Sequence, residues 1–259
     1  MTLAVATAPT PDWRLAVVLV LMVAGAVTAS YLGHLGVERN HLTAAARAVI
    51  QLAAVSLVIA AVLGSVWWSL AFALLMLTVA TFTSAGRIRA PRSQIAWVGL
   101  AIAAGVVPVL ALILGSGVVP FNGAGLVPTA GIVIGGAMTA ATLTGRRAYD
   151  EIAGSFGTYE AGLALGMQSP QAAFEVIQPT AKEALTPGLD QTRTVGLVTL
   201  PGAFVGVLLG GGTPLQAGAA QIMVLIGLMA AQAITAAVLL RMIASARVVR
   251  RDLLSSYPR

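Results

Sequence analysis

Long apolar segments separated by polar connections run through most of this 259-residue chain. Each segment is about 20 residues long, which is the length that an α-helix needs to cross the hydrocarbon layer of a membrane. Backbone groups in lipid must be hydrogen-bonded within their own segment, so each segment predicts a helix. The pattern predicts an all-α integral membrane protein, a bundle of about seven transmembrane helices. Their predicted bounds are 14–33, 44–63, 68–86, 95–115, 128–144, 194–213 and 219–241.

The connection at residues 145–193 is the longest, and its polarity is mixed. Residues 145–166 predict a continuation of the fifth helix into the cytoplasm, with a break at residues 166–168. Ser169 and Pro170 then predict the start of a short amphipathic helix, because Ser caps free N–H groups and Pro suits a first helical turn. We expect turns at Pro179 and at residues 186–188 to lead the chain back to the membrane.

Positive charge differs between the two sides of the predicted membrane. Of the 15 Lys and Arg residues, 13 lie in connections on one side, and the connections on the other side carry no charge. Lys and Arg concentrate in cytoplasmic loops. We therefore expect the N-terminus outside, and residues 145–193 and the C-terminus inside, an inner (plasma) membrane. The net charge of +6 then reflects topology and contact with anionic lipid headgroups, and no nucleic-acid partner is expected.

Composition narrows the possible functions. The chain is 58% hydrophobic and 9% charged, whereas soluble domains carry about 25% charged residues. No acidic residue lies in a predicted span, although proton-driven carriers usually hold a carboxylate or His there. The sequence has no phosphate-binding G-x-x-x-x-G-K-[ST] motif, so ATP would have to be bound by another subunit. Without cysteines, or a cluster of acid, base and nucleophile, an enzyme is disfavoured and no cofactor is expected.

A spaced motif lies inside the long connection. Glu160 and Ala161 are followed by Gly166 and, after a fixed interval, by Pro179. This spacing resembles the E-A-A-x3-G-x9-I-x-L-P loop of ABC importer permeases, whose short helix docks in a cleft of the ATPase. The resemblance implies that these four residues couple the chain to an ATPase. A cytoplasmic helix with Ala and Gly at chance spacing is the alternative. The departures from the motif are Gly162, Val176 and Gln178.

Four longer blocks of the chain are also distinctive, namely Arg47–Leu52, Pro128–Ile132, Ala137–Met138 and Thr194–Gly202. They resemble the Fet-type ABC permeases, which are bacterial proteins linked to iron export with plant relatives linked to aluminium tolerance. The resemblance runs from about Glu38 to about Arg241 and implies a permease that works with a cytoplasmic ABC ATPase, forms a homodimer and exports iron or another metal. No linker or repeat divides the chain, so we expect a single permease domain over residues 1–259. One departure weakens the implication of iron, because this chain has Gly136 where the bacterial members carry a polar Asn.

Two other functions remain open. A secondary carrier or channel would act alone, and an ABC permease could move an organic substrate. The residues considered for a path or gate are Arg47, Gln51, Thr139, Thr142 and Pro201. Arg47 is either a residue of the path or a side chain that reaches the headgroups. Gln51 fits a hydrogen bond between helices. The threonine hydroxyls could line an ion path, and Pro201 is expected to kink the helix 194–213.

Glycines at intervals of four residues are candidates for close helix packing, either within the chain, which we favour slightly, or between two copies. They are Gly131, Gly135, Gly202, Gly206 and Gly210.

His34, Glu38 and His41 have helical spacing that could suit a metal ion. Nearby glycines favour an interfacial turn instead, so no metal site is predicted.

Asp190 and Arg193 are spaced to form an ion pair, either at a solvated surface or as a mechanical link between the loop and the next helix.

Overall fold

The computed structural model describes residues 12–251 and divides the chain into two compact units, residues 1–62 and 63–259. The described part is helical, and its only β pairing is an isolated bridge between Val195 and Thr199. The helices are α1 (Trp13–Leu32), α2 (Glu38–Leu63), α3 (Val66–Arg87), α4 (Ile95–Gly115), α5 (Gly123–Gly154), α6 (Phe156–Ala164), α7 (Ser169–Ile177), α8 (Ala181–Arg193), α9 (Gly202–Leu209) and α10 (Pro214–Ala244). Short 3-10 helices cover Arg92–Gln94 and Gln178–Thr180.

The first unit is a pair of long apolar helices, α1 and α2. Asp12 caps α1 by accepting a hydrogen bond of 3.0 Å from the backbone N–H of Leu15. Gly33 ends the helix, and Gly36, with φ +67°, turns the chain into α2. Most side chains of both helices are exposed, as expected for helices whose apolar surface contacts lipid.

The core of the second unit lies where α5 packs against α3, α4 and α10. Small residues let the backbones of these helices approach closely. At Gly105 of α4, an added Cβ would overlap the Ala231 carbonyl oxygen and the Thr235 hydroxyl of α10. A buried run of alanines on α5, including Ala130, Ala137 and Ala141, faces the same core. The bundle is therefore held by closely packed small side chains.

Among the described residues, six helices are long and apolar enough to cross a membrane: α1, α2, α3, α4 with its preceding turn, α5 and α10. The fold is thus the all-α integral membrane protein that the sequence predicts. The predicted continuous helix at 194–213 is wrong. Residues 194–201 are not helical, and α9 covers only eight residues. Gly196, with φ +81°, and Pro201, which lacks an N–H donor, interrupt the helix there.

The long connection is more helical than predicted. Helix α7 begins at Ser169, as predicted. The fifth helix ends at Gly154, earlier than the predicted continuation to residue 166, and Ser155 separates it from α6. The predicted turn at residues 186–188 is wrong, because α8 runs through Pro187 without a break. Packing of α8 along α5 and α10 overrides the local preference of Pro and Gly for a turn.

Candidate functional site

Helices α6 and α7 form a compact hairpin, called the hairpin below. Gly166, between the two helices, has φ +88°, a conformation that glycine adopts without strain. The Tyr159 and Ser169 hydroxyls join the helices through a hydrogen bond of 2.9 Å. Gly162 also lies at this contact, and a Cβ added there would be 3.1 Å from the Cβ of Ala172. The structure therefore has the bend that the motif predicts, and close packing explains why glycine suits position 162.

The hairpin exposes its tip and buries one side. Glu160 and Ala161 are exposed near the bend, and Pro179 is exposed in the 3-10 turn that follows α7. Leu165, directly before Gly166, is 82% exposed. The sequence analysis did not single out Leu165, although a large apolar residue beside the Gly bend was a usable signal. The side chains of α7 that are buried are Ala172, Ala173, Val176 and Ile177.

Helix α8, the last part of the long connection, packs on α5 and α10. Near its start, the Glu183 carboxylate lies 3.3 Å from Nε of Arg147 on α5. One and a half turns later, the Gln232 side chain of α10 fills the space beside Gly188, where any Cβ would overlap it. The same Gln232 side chain also lies against Gly136 of α5. Helix α8 therefore runs back along α5 and α10 toward their middle.

Helix α9 is tied to α10 through a second glutamine. The buried Gln221 accepts a hydrogen bond of 3.2 Å from the backbone N–H of Phe204, in the first turn of α9. Because Gln221 and Gln232 are three helical turns apart, they lie on one face of α10. Both α8 and α9 pack on that face of α10. Neither glutamine was singled out from the sequence, where two amides inside an apolar span were the available signal.

Pro201 directly precedes α9 as its N-cap residue. The predicted kink of a continuous helix at Pro201 is therefore wrong. Pro201 has φ −70° and ψ 161° at the N-terminal boundary of α9. A cavity of about 190 Å³ separates this junction from α10 and is lined by Val195, Pro201, Phe204 and Gln221, among others. The block Thr194–Gly202, which carries the family resemblance, is therefore the junction between α8 and α9.

Neither threonine considered for a path lines the cavity beside this junction. Thr142 is buried between α3 and α5, where its hydroxyl lies 3.3 Å from Oγ of Ser84 and donates to the Met138 carbonyl. Thr139 is exposed and donates to the carbonyl of Gly135. Arg47 and Gln51 are exposed on α2, in the first unit.

The spaced glycines make few contacts in the described residues. Nothing lies within 4 Å of a Cβ added at Gly135, Gly202 or Gly206, and Gly131 only meets Met76 at 3.8 Å. Gly210 faces the carbonyls of its own turn. The contact within the chain that we favoured is therefore not formed at Gly202 and Gly206.

His34 lies in the turn after α1, with φ 50°, and Glu38 begins α2. In residues 12–251 no three His, Cys, Asp or Glu side chains lie close enough together to hold a metal ion.

Comparison with known proteins agrees with the resemblance seen in the sequence. A family model described as an uncharacterised protein family, UPF0014, matches residues 12–247. The UPF0014 membrane protein STAR2 of Oryza sativa subsp. japonica is 36% identical over 83% of this chain and 76% of its own length. The protein ALUMINUM SENSITIVE 3 of Arabidopsis thaliana is 35% identical over 81% and 77%.

A bacterial relative extends the comparison. The probable iron export permease protein FetB of Escherichia coli strain K12 is 31% identical over 81% of this chain and 82% of its own length. No solved structure shows a significant match. With its described helices long enough to span a membrane and a family match over most of its length, the chain belongs to the UPF0014 family of membrane proteins.

Proposed function

We propose that this chain is the transmembrane permease subunit of an ATP-driven ABC transporter, and that a separate cytoplasmic ATPase hydrolyses the ATP. The observation that carries the proposal is the hairpin, whose Gly166 bend and exposed tip occupy the positions of the ATPase-docking motif. Leu165 supplies an exposed apolar side chain for a cleft, and Glu160 supplies a charge that can orient the contact. FetB, named as a permease, supports the same function.

The packing of the hairpin provides a route for motion into the membrane. Helix α7 continues through the 3-10 turn at Gln178–Thr180 directly into α8. Helix α8 packs on α5 and α10, the two longest helices of the bundle. A push on the hairpin tip by a closing ATPase would therefore move α8 against these helices. The path would open to one side of the membrane as a result.

The proposed orientation places the hairpin in the cytoplasm, the N-terminus outside and the C-terminus inside an inner (plasma) membrane. Arginines at the ends of α3, α5 and α10 support this orientation because cytoplasmic loops are rich in basic residues. Arg87, Arg146 and Arg250 line a cavity of about 260 Å³ at this end of the bundle. An ABC transporter needs two membrane halves, so the functional unit is a homodimer with two ATPase copies.

We propose export of iron or another metal as the transport activity, on the basis of the printed name of FetB. A permease for an organic substrate is the second candidate, and Gly136 favours it over iron. Gly136 has no polar side chain that could contact a substrate. The Leu228 and Gln232 side chains lie against it.

Co-purification tests the proposed partner. The permease would be expressed together with the ABC ATPases of its own organism that have no membrane spans. The wild-type chain should retain one of these ATPases in detergent, and Leu165→Glu should release it. Leu215→Glu is the matched control, because Leu215 is equally exposed but lies at the opposite end of the bundle. Equal recovery with Leu165→Glu, or no such ATPase bound to the wild type, would contradict docking through the hairpin.

A further inference from the structure

The depth of α8 in the bundle follows from its two contacts. The Glu183–Arg147 pair sets its start beside the charged end of α5. The contact of Gly188 with Gln232 sets its middle at a point on α10 that lies roughly 18 Å from Ala244, at 1.5 Å per residue. Arg193 lies about 7.5 Å further along α8 in the same direction. The last turn of α8 therefore lies level with the middle of α10, a helix long and apolar enough to cross a membrane.

Helices α8 and α9 together have the length of one crossing. Their 13 and 8 residues rise about 20 Å and 12 Å, close to the ~30 Å thickness of the hydrocarbon layer. We propose that α8, the non-helical residues 194–201 and α9 form one discontinuous crossing, which lines a water-filled path and is completed by a second copy of the chain. This inference rests on the proposed permease function.

One face of α8 is unsuited to lipid. Glu183, Thr186, Asp190 and Arg193 follow each other at intervals of three and four residues, which places them on one side of the helix. Asp190 and Arg193 pair at 3.2 Å, yet their side chains remain 56% and 72% exposed. Charged side chains at this depth face a bundle interior or a water-filled cavity. The exposed face of α8 is therefore a wall of the path.

The backbone next to this face leads to the same conclusion. Non-helical backbone at membrane depth is tolerated only where protein buries it or where it lines a cavity with water. In residues 194–201 the chain leaves the helix, and Leu197 and Val198 are 91% and 78% exposed. Water alone does not suit two such apolar side chains. A protein surface must cover them beside the path.

A second copy of the same chain fits this surface. The acid–base pair Asp190 and Arg193 is complementary to itself, because each residue can meet its opposite on a copy related by a two-fold axis. An ion pair from each copy would then flank the cargo at mid-depth. The described part of the chain offers no cluster of metal ligands there. Cargo would pass this point hydrated or complexed.

Cross-linking tests the interface directly, since the chain has no cysteine. Val198→Cys in native membranes should form a dimer with a short bis-maleimide. Leu112→Cys, on an exposed apolar position of α4, should not. If Val198→Cys forms no dimer, lipid and not a second copy covers this surface, and the proposal is overturned. Equal dimer formation at Leu112→Cys would overturn it too.

Water access tests the path. Gln191→Cys, on the exposed side of α8 beside Asp190, should react with a small charged thiosulfonate reagent at least tenfold faster than Leu112→Cys. Equal, slow reaction of both variants would mean that α8 faces lipid or protein, which overturns the proposal. Neither measurement needs the ATPase. If cross-linking and labelling fail but the ATPase still co-purifies, the proposed permease function stands and the proposed crossing is wrong. If only ATPase co-purification fails, the proposed crossing and dimer interface stand.

Discussion

At the scale of single residues, close contacts in this protein depend on glycines that the sequence pattern does not mark. The regularly spaced Gly202 and Gly206 face open space, whereas Gly188, which belongs to no repeat, lies against Gln232. Regular spacing of glycines shows only that one face of a helix carries small residues. Which face meets another helix depends on the fold of the whole chain, so the sequence could not distinguish these positions.

Substitution at these glycines should separate the two cases. Gly188→Ala places a methyl group in the space of the Gln232 side chain and should lower stability by about 1–3 kcal/mol because overpacking displaces neighbours. Gly202→Ala, the matched control, has open space around it and should be nearly neutral. Thermal unfolding of the detergent-purified protein measures both. An unchanged midpoint for Gly188→Ala would contradict the placement of α8 against α10.

The Asp190–Arg193 pair offers a second test at this scale. Asp190→Arg puts like charges side by side at membrane depth and should reduce transport at least tenfold. The double variant Asp190→Arg with Arg193→Asp restores opposite charges and should recover most of the activity. Asp150→Arg with Arg250→Asp, a swap of the 2.8 Å pair outside the junction, is the control for charge swapping as such. Full activity of the single Asp190 variant would show that the pair has no role in the path.

At the scale of elements, the long helices were predictable and the junctions were not. Apolar length indicated α1 to α5 and α10, and Ser169 with Pro170 indicated the start of α7. The predicted continuous helix at 194–213 failed because hydropathy averages over breaks. Apolar residues such as Leu197 and Val198 preserve the signal of a span where the backbone is not helical. The predicted turn at residues 186–188 failed because the packing of α8 on α5 and α10 outweighs the local preference of Pro187 and Gly188 for a turn.

The hairpin gives a prediction at the element scale. Gly166→Val requires a β-branched side chain at φ +88°, which should distort the bend and uncouple the ATPase while expression and membrane insertion persist. Permease-stimulated ATP hydrolysis would measure the coupling. Gly157→Val, in the exposed first turn of α6, where nothing is within 4 Å of an added Cβ, is the matched control. Wild-type stimulation by Gly166→Val would mean that the motif match is accidental.

At the scale of the whole molecule, the charge distribution predicts an orientation. A reporter inserted near Asn122, which caps the start of α5, should read external, and one fused after Arg259 should read cytoplasmic. The reason is that basic connections resist translocation. The proposed discontinuous crossing would bring the six long helices of the described part to seven crossings. An external C-terminus would contradict both the orientation and the count.

The most direct test of the central claim is ATP-dependent transport in inside-out membrane vesicles. Vesicles from cells that produce the permease and its ATPase would receive a panel of metal ions, and their content would be measured by mass spectrometry. We predict accumulation of iron or another metal only when both subunits and ATP are present, because export from the cell is uptake into such vesicles. Accumulation with the permease alone and without ATP would contradict the account and identify a carrier or channel.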